Sequence, residues 1–353
     1  MRRALLFAGR LLARWEVLLI IAIIGVGIWS TTLSPFFLVR ANLLDLLTPY
    51  AFIGLMALGL SFVVIAGEID ISVASTLAVS VVCFSQFYDA GLNVWLAVFA
   101  GLAIATALGC VNGVLVGIFD LPSLAITLGT LAAYSGLAYV ILPGEGVAAF
   151  PESVTKFGGG YVDIQYPIAL FVLIGFAVAL GFILHATRFG RYLYMIGSNR
   201  EAARFAGIPV ARVRVTVFAI SGFMAGIAGV VYVGYFGSAR ADAGQGSLLD
   251  VVTAVVLGGV DIFGGSGSIL GVFLALVLVA ELRNGMQLAN IAGDTQNIVI
   301  GVLLLAAIIV GNVTRAIQAR GLPSIPRRRG VVGRATVSAG LGIDPEPQDV
   351  KGR

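Results

Sequence analysis

A series of uninterrupted apolar runs, each close to the length needed to cross a lipid bilayer, governs what this chain can fold into. Ten occur, at approximately residues 16–33, 49–66, 71–87, 94–117, 122–142, 167–185, 214–236, 248–262, 267–282 and 296–314. A helix rises ~1.5 Å per residue, so about 20 apolar residues cross a hydrocarbon core of ~30 Å. Lipid offers no hydrogen-bond partners, so the backbone inside it must satisfy itself, as a helix does and an open strand does not. The runs are continuous rather than alternating, which argues against a β-barrel. With 59% hydrophobic and 11% charged residues and a mean hydropathy of +1.02, the chain is expected to be an all-α integral membrane protein of about ten transmembrane helices. The third, eighth and ninth runs are short and glycine-rich, and are expected to form broken or tilted helices.

Arginine and lysine collect on the cytoplasmic side of membrane proteins. With the N-terminus inside, cytoplasmic segments hold 18 of the 22 basic residues: four before the first run, six from Arg188 to Arg214 and eight after the last. Only Arg40, Lys156, Arg240 and Arg283 fall outside. Both termini are therefore expected in the cytoplasm, and the net charge of +4 reports topology rather than a nucleic-acid partner. Residues 1–15 read as a basic cytoplasmic lead-in to an uncleaved span, residues 16–315 as the membrane domain, and residues 316–353 as a disordered cytoplasmic tail poor in apolar side chains. Cys83 and Cys110 lie inside spans and read as small apolar residues.

No phosphate-binding loop of the form GxxxxGK[ST] is present. Lys156 and Lys351 lack the required glycines, and Gly264 to Ser268 lacks a lysine. ATP and magnesium would have to be bound by another polypeptide. No catalytic or metal-ligating constellation is evident, and the single histidine, His185, reads as an interfacial side chain. Intramembrane carboxylates are scarce, with Asp250 and Glu281 near span ends.

Two turns carry a related pattern, GEIDIS at residues 67–72 and GGVDIF at residues 258–263. The topology places both at cytoplasmic turns, after the second and eighth spans. Glu68, Asp70 and Asp261 there read as inexpensive carboxylates at a wet turn. Asp70 and Asp261 are candidate caps of the following helices, and all three are candidate gate elements.

The longest cytoplasmic loop, residues 186–213, contains a local folding program. Ser198 and Glu201 form an S-x-x-E capping box. Asn199 to Ala206 supply about two helical turns, Gly207 a C-cap, and Pro209 a stop. Such a short helix is marginal unless it packs on something. Its Ala202, Ala203, Phe205, Ala206 and Ile208, ringed by arginines, read as a docking knob for a soluble partner. A solvated helix lying on the headgroups is the plainer alternative.

Several motifs together resemble the membrane permease subunits of bacterial ABC importers of the ribose, rhamnose and autoinducer-2 type. They are GEIDIS (67–72), GCVNGVLVG (109–117), ITLGTL (126–131), GSNREAARFAGIPV (197–210), YFGSARAD (235–242) and TAVVLGGVDIFGGSGSILG (253–271). The resemblance covers about residues 16–315. It implies that the loop around Ser198, Asn199, Glu201, Ala202, Ala203 and Gly207 is a coupling helix for an ATP-binding cassette subunit. It further implies a second permease subunit, a periplasmic solute-binding protein and the inner membrane of a bacterium.

In the fifth run Ser123, Thr127, Thr130 and Tyr134, spaced 4, 3 and 4, share one helical face. These hydroxyls either line a path for a polyhydroxylated solute or bond to backbone and neighbouring helices. The fourth run has small residues at Gly101, Ala105, Gly109, Gly113 and Gly117, a packing stripe, with Asn112 beside it as a further path candidate. Gly222 and Gly226 suggest close packing in the seventh. The expected function is therefore a non-enzymatic permease subunit for a monosaccharide or sugar-like solute. A secondary carrier or facilitator for small polyhydroxylated solutes is the alternative.

Overall fold

The computed structural model describes residues 15–144, 146–163 and 166–321, with residues 313–321 described by backbone only. The basic lead-in up to residue 14 and the tail from residue 322 lie outside the described residues. Among the described residues, those from 15 to 312 belong to one compact unit and residues 313–321 to another.

Each apolar run falls on a helix. In chain order these are α1 (Trp15–Leu33), the short α2 (Arg40–Asp45) and a 3-10 turn leading into α3 (Ala51–Ile65), α4 (Val73–Asp89), α5 (Val94–Gly117) and α6 (Ser123–Ile141). A small excursion follows, with β1 (Val147–Ala148), α7 (Glu152–Gly159), β2 (Tyr161–Val162) and β3 (Tyr166–Pro167). Next come α8 (Ile168–Ala186), α9 (Arg188–Ser198), α10 (Arg200–Phe205) and α11 (Val210–Phe236). The described chain ends with β4 (Ser238–Ala239), α12 (Leu248–Leu257), α13 (Ile269–Leu288) and α14 (Gly293–Gly321). The only sheets among the described residues are two-stranded. β1 pairs antiparallel with β4, and β2 with β3.

Eight of the described helical segments are long and apolar enough to cross a membrane. α4, with 17 residues, and α12, with 10, are the short ones. At ~1.5 Å per residue α12 spans about 15 Å, half a hydrocarbon core. The expectation of a short third and eighth span is borne out. The ninth differs: α13 runs for 20 residues.

α3 lies at the centre, with every residue from Ala51 to Ile65 buried, and α11 packs against both α3 and α5. The small-residue stripe on α5 explains that packing. A Cβ on Gly109 would lie 2.4 Å from the Phe218 carbonyl, and one on Gly113 would lie 2.8 Å from Val215 Cα. Only glycine permits this approach of two backbones.

Two charged groups differ from their expected places. Arg283, read as an outside loop residue, lies within α13, buried, with Nη2 2.7 Å from Asp250 Oδ1 on α12. Because α13 continues to Leu288, Glu281 is also interior, 8% exposed and facing Gly27 of α1. Arg283 and Asp250 compensate each other in the interior, a pairing that the spacing along the chain could not reveal, whereas Glu281 Oε2 is buried without a hydrogen-bond partner.

Gly109→Leu should lower the unfolding temperature and the membrane yield, because backbone atoms cannot retreat as a side chain can. Overpacking costs about 1–3 kcal/mol or more. Gly226→Leu, which meets the tip of Leu102 at 2.8 Å, should be milder. Gly129→Leu, with no neighbour within 4 Å, should be neutral in the same thermal scan.

Candidate functional site

GEIDIS is the interruption between α3 and α4. Residues Gly67 to Ser72 have left one helix and not entered the next, so their backbone groups need partners from elsewhere. α6 supplies them for Ile69. The Ile69 N–H donates to Ser123 Oγ at 3.1 Å, and Thr127 Oγ1 donates to the Ile69 carbonyl at 3.2 Å. Both peptide groups of Ile69 are thus held by hydroxyls one helical turn apart on one face of α6.

Asp70 is 3% exposed. The expectation of a wet, inexpensive carboxylate is overturned. Its Oδ1 accepts from the Ser72 N–H (3.0 Å) and Ser72 Oγ (2.7 Å), and its Oδ2 accepts from Ser221 Oγ of α11 (2.8 Å). Asn112 Nδ2 of α5 donates to Ser72 Oγ at 2.9 Å, and Tyr134 of α6 donates its hydroxyl to the Leu108 carbonyl at 3.2 Å. Four segments therefore share one buried polar network. The start of α4 has no side-chain cap bond, and α13 is capped by Ser268, so Asp70 and Asp261 do not cap the helices that follow them.

The path candidates thus divide. Ser123, Thr127, Tyr134 and Asn112 bond to backbone and to neighbouring segments, and Thr130 Oγ1 donates to the Thr127 carbonyl at 3.4 Å.

The second motif packs on the first. The Gly265 N–H donates to the Ile65 carbonyl, a free C-terminal acceptor of α3, at 2.9 Å. Gly67, at φ +78°, and Gly264, at φ +88°, touch so closely that a Cβ on Gly264 would lie 2.7 Å from Gly67 Cα and 3.0 Å from Gly197 Cα. Positive φ and lack of room both require glycine there. Asp261 Oδ1 accepts from the Phe263 N–H at 2.9 Å within the turn.

The long loop is more structured than expected, because α9 precedes the short helix. α9 is capped by Thr187 and buries Leu193 and Ile196. The capping box is corrected: Ser198 ends α9, and Asn199 caps α10 by accepting from the Ala202 N–H at 2.9 Å. Ser198 instead packs on Gly265. Gly207, at φ +78°, ends α10 as expected. Ala203 and Ile208 are buried against the protein rather than offered outward. Glu201, Ala202, Ala206 and Gly207 are exposed, and Phe205 is 91% exposed.

An ionic cluster joins this loop to two turns. Glu68, 3% exposed, pairs with Arg200 of α10 and with Arg214 of α11, whose Nε lies 2.8 Å away. That Nε contact is an ion pair without hydrogen-bond alignment. Arg214 Nη1 donates to Asp120 Oδ1 at 2.5 Å, and Arg204 lies 3.6 Å from Asp120 Oδ2. Asp120 sits in the turn between α5 and α6 at φ +55°, a conformation aspartate tolerates better than most residues. The Arg214 hydrogen bond holds the Asp120 carboxyl below its ordinary value of 3.8.

Arg200, Arg214 and Asp120 were missed from sequence as site residues. Their charges were visible, but their pairing spans 94 positions for Arg214 with Asp120 and 132 for Arg200 with Glu68, and no local pattern encodes it.

Arg214→Ala should destabilise the protein by about 3 kcal/mol, because removing one partner leaves buried charge exposed to a low dielectric. Glu152→Ala, which breaks an exposed pair with Lys156, should cost under about 1 kcal/mol. For Asp120 the folded-state carboxyl titrates below its unfolded value. Its contribution is therefore complete above the ordinary value and lost as pH falls through the lowered one. The stability difference between wild type and Asp120→Asn should be flat from about pH 5 to 8 and shrink below about pH 4.

Residues 42–308 match the family described as branched-chain amino acid transport system / permease component. The autoinducer 2 import system permease protein LsrD of Klebsiella pneumoniae is 36% identical over 311 residues, covering 85% of this chain and 92% of that protein. LsrD of an Enterobacter species is 36% identical over 302 residues, covering 84% and 92%. LsrD of Photorhabdus luminescens is 34% identical over 307 residues, covering 84% and 90%. No solved structure matches the chain. A match over most of the membrane-spanning region, with relatives aligned along nearly their whole length, bears out the resemblance read from the motifs, and the chain belongs to the branched-chain amino acid transport system / permease component family.

Proposed function

We propose that this chain is the membrane-spanning permease subunit of an ATP-driven ABC importer for a small sugar-like solute, of the class to which the relatives' autoinducer 2 belongs. The carrying observation is α10. A capped two-turn helix holds Phe205 out at 91% exposure, while Arg200 at its base grips Glu68, the residue next to the Ile69 peptide that α6 clamps. A partner that moves α10 would pull on Glu68 and so on the Ile69 clamp.

In this reading an ATP-binding cassette subunit docks on Phe205, Glu201 and Ala202 from the cytoplasm. ATP and magnesium belong to that subunit, and this chain does no covalent chemistry. A second permease subunit completes the path in a bacterial inner membrane, and a periplasmic binding protein delivers the solute. The two termini and the 186–213 loop lie in the cytoplasm, on the distribution of basic residues. Transport follows from nucleotide-biased exchange between two packings of the clamp, each with its own affinity for solute.

The secondary-carrier reading gains one observation, since Asp250, Glu281 and Arg283 are buried within helices where ion-coupled carriers keep such groups. Arg283 neutralises Asp250 and leaves Glu281 as the main support for it. ATP dependence decides between the two.

Phe205→Asp and Glu201→Lys should each reduce co-purification of the ATPase subunit at least about tenfold, about 1.4 kcal/mol. Arg200→Ala should retain the ATPase and lower uptake. Full uptake without the ATPase would favour the carrier.

A further inference from the structure

A row of side chains on α6 continues beyond Thr127. Ser123, Thr127, Leu131, Ser135 and Tyr139 recur every fourth residue, each about 40° further round the helix than the one before, so the row winds from the Ile69 side to another side of α6 at Tyr139. The first two hold Ile69. The last three line two cavities on the side away from α10.

The outer cavity, of about 550 Å³, is bounded by Tyr139, Ser238, Arg240 and Asp242. The inner one, of about 150 Å³, lies between α4, α6 and the segment between β4 and α12, with Ser75, Leu131, Ser135 and Gln245 on its wall. That segment reaches far into the protein, since a Cβ on Gly244 would stand 3.4 Å from the Ala74 carbonyl, two residues beyond Ser72. Ala241 borders both cavities. Where they adjoin, Gln245 Nε2 donates to the Tyr139 hydroxyl at 3.3 Å.

We infer that the inner cavity is a resting station for a small, uncharged, hydroxyl-bearing solute, and that the Gln245–Tyr139 pair is its outer door. This rests on the permease reading and adds to it the place where the solute is held. The polar groups on the inner wall are two hydroxyls and an amide, each able to exchange a hydrogen bond with a solute hydroxyl. No charged side chain lines the inner cavity. A zwitterion such as an amino acid would have to shed water there without counter-charges, at a large cost. The charged lining residues, Arg240 and Asp242, belong to the outer cavity and satisfy each other through two bonds of 2.8 and 2.9 Å. At ~30 Å³ per water, the inner volume equals about five waters, the scale of one small ring. Beneath it the Ile69 clamp closes the way onward.

The test uses the full importer in membrane vesicles, with Cys83→Ser and Cys110→Ala removing the native thiols. An uncharged methanethiosulfonate bearing a glycosyl group, too polar to cross the bilayer, is applied from the side away from α10. Ser135→Cys should react, and Tyr139→Ala in the same chain should speed that reaction about tenfold. Leu137→Cys, on the outward face of α6, should stay unreactive. Uptake of radiolabelled D-ribose, L-rhamnose, autoinducer 2 and L-leucine is measured in parallel. Ser135→Leu should lower uptake of the neutral solutes at least about tenfold with the ATPase still bound. An unreactive Ser135→Cys beside a reactive Tyr139→Cys would overturn the station, as would unchanged uptake by Ser135→Leu. Leucine uptake through the intact complex would overturn the solute class. Absence of any ATP-dependent uptake would instead count against the permease reading, while the labelling pattern would still decide whether the cavity is reached from outside.

Discussion

A helix broken inside a protein leaves peptide groups that neither water nor the helix itself can satisfy, and the rest of this fold is arranged around one such break. Ile69 lies between α3 and α4, and its N–H and carbonyl are taken up by Ser123 and Thr127 of α6. An unsatisfied buried group costs about 1–3 kcal/mol, so the pairing sets where α6 must lie relative to α3. Glu68 and Asp70, on either side, extend the constraint in opposite directions. Glu68 reaches Arg200 and Arg214 at the exposed end, and Asp70 reaches Ser221 and, through Ser72, Asn112. One six-residue turn thereby touches α5, α6, α10 and α11.

The same logic accounts for the second turn. Gly265 caps the end of α3, while Gly67, Gly197 and Gly264 meet where no side chain fits. The two motifs look alike because both leave a helix through glycine and re-enter through a short polar turn. Their contact makes one junction of two breaks. α10 projects from the end of the protein that carries this junction, so force on α10 has a short mechanical route to the Ile69 clamp.

Several features were legible without coordinates. Apolar runs located the helices, because lipid leaves the backbone no alternative, although the ends of the last three lie several residues from the run ends. The glycine spacing on α5 announced a close contact, and Gly207 with Pro209 announced the end of α10. Other readings misled for a common reason. Asp70, Glu68 and Arg283 sit near the ends of apolar runs, where linear distance suggests water, yet each is buried with a partner from a remote segment. Ser198 and Glu201 matched a capping pattern, but α9 extends through Ser198 and passes the cap to Asn199.

The family comparison and the fold point the same way, toward a permease component built from helices long and apolar enough to cross a membrane. By itself the sequence determined the helical class, the number of apolar segments, the small-residue contact face and the existence of a short loop helix, since each follows from hydropathy, backbone satisfaction or local turn chemistry. Only the tertiary structure decided which polar groups meet: Glu68 with Arg200 and Arg214, the Ile69 backbone with Ser123 and Thr127, Asp250 with Arg283. Those choices rest on burial and on partners many tens of residues away, and in a low-dielectric interior it is the partner that determines whether a polar group is a cost or a constraint.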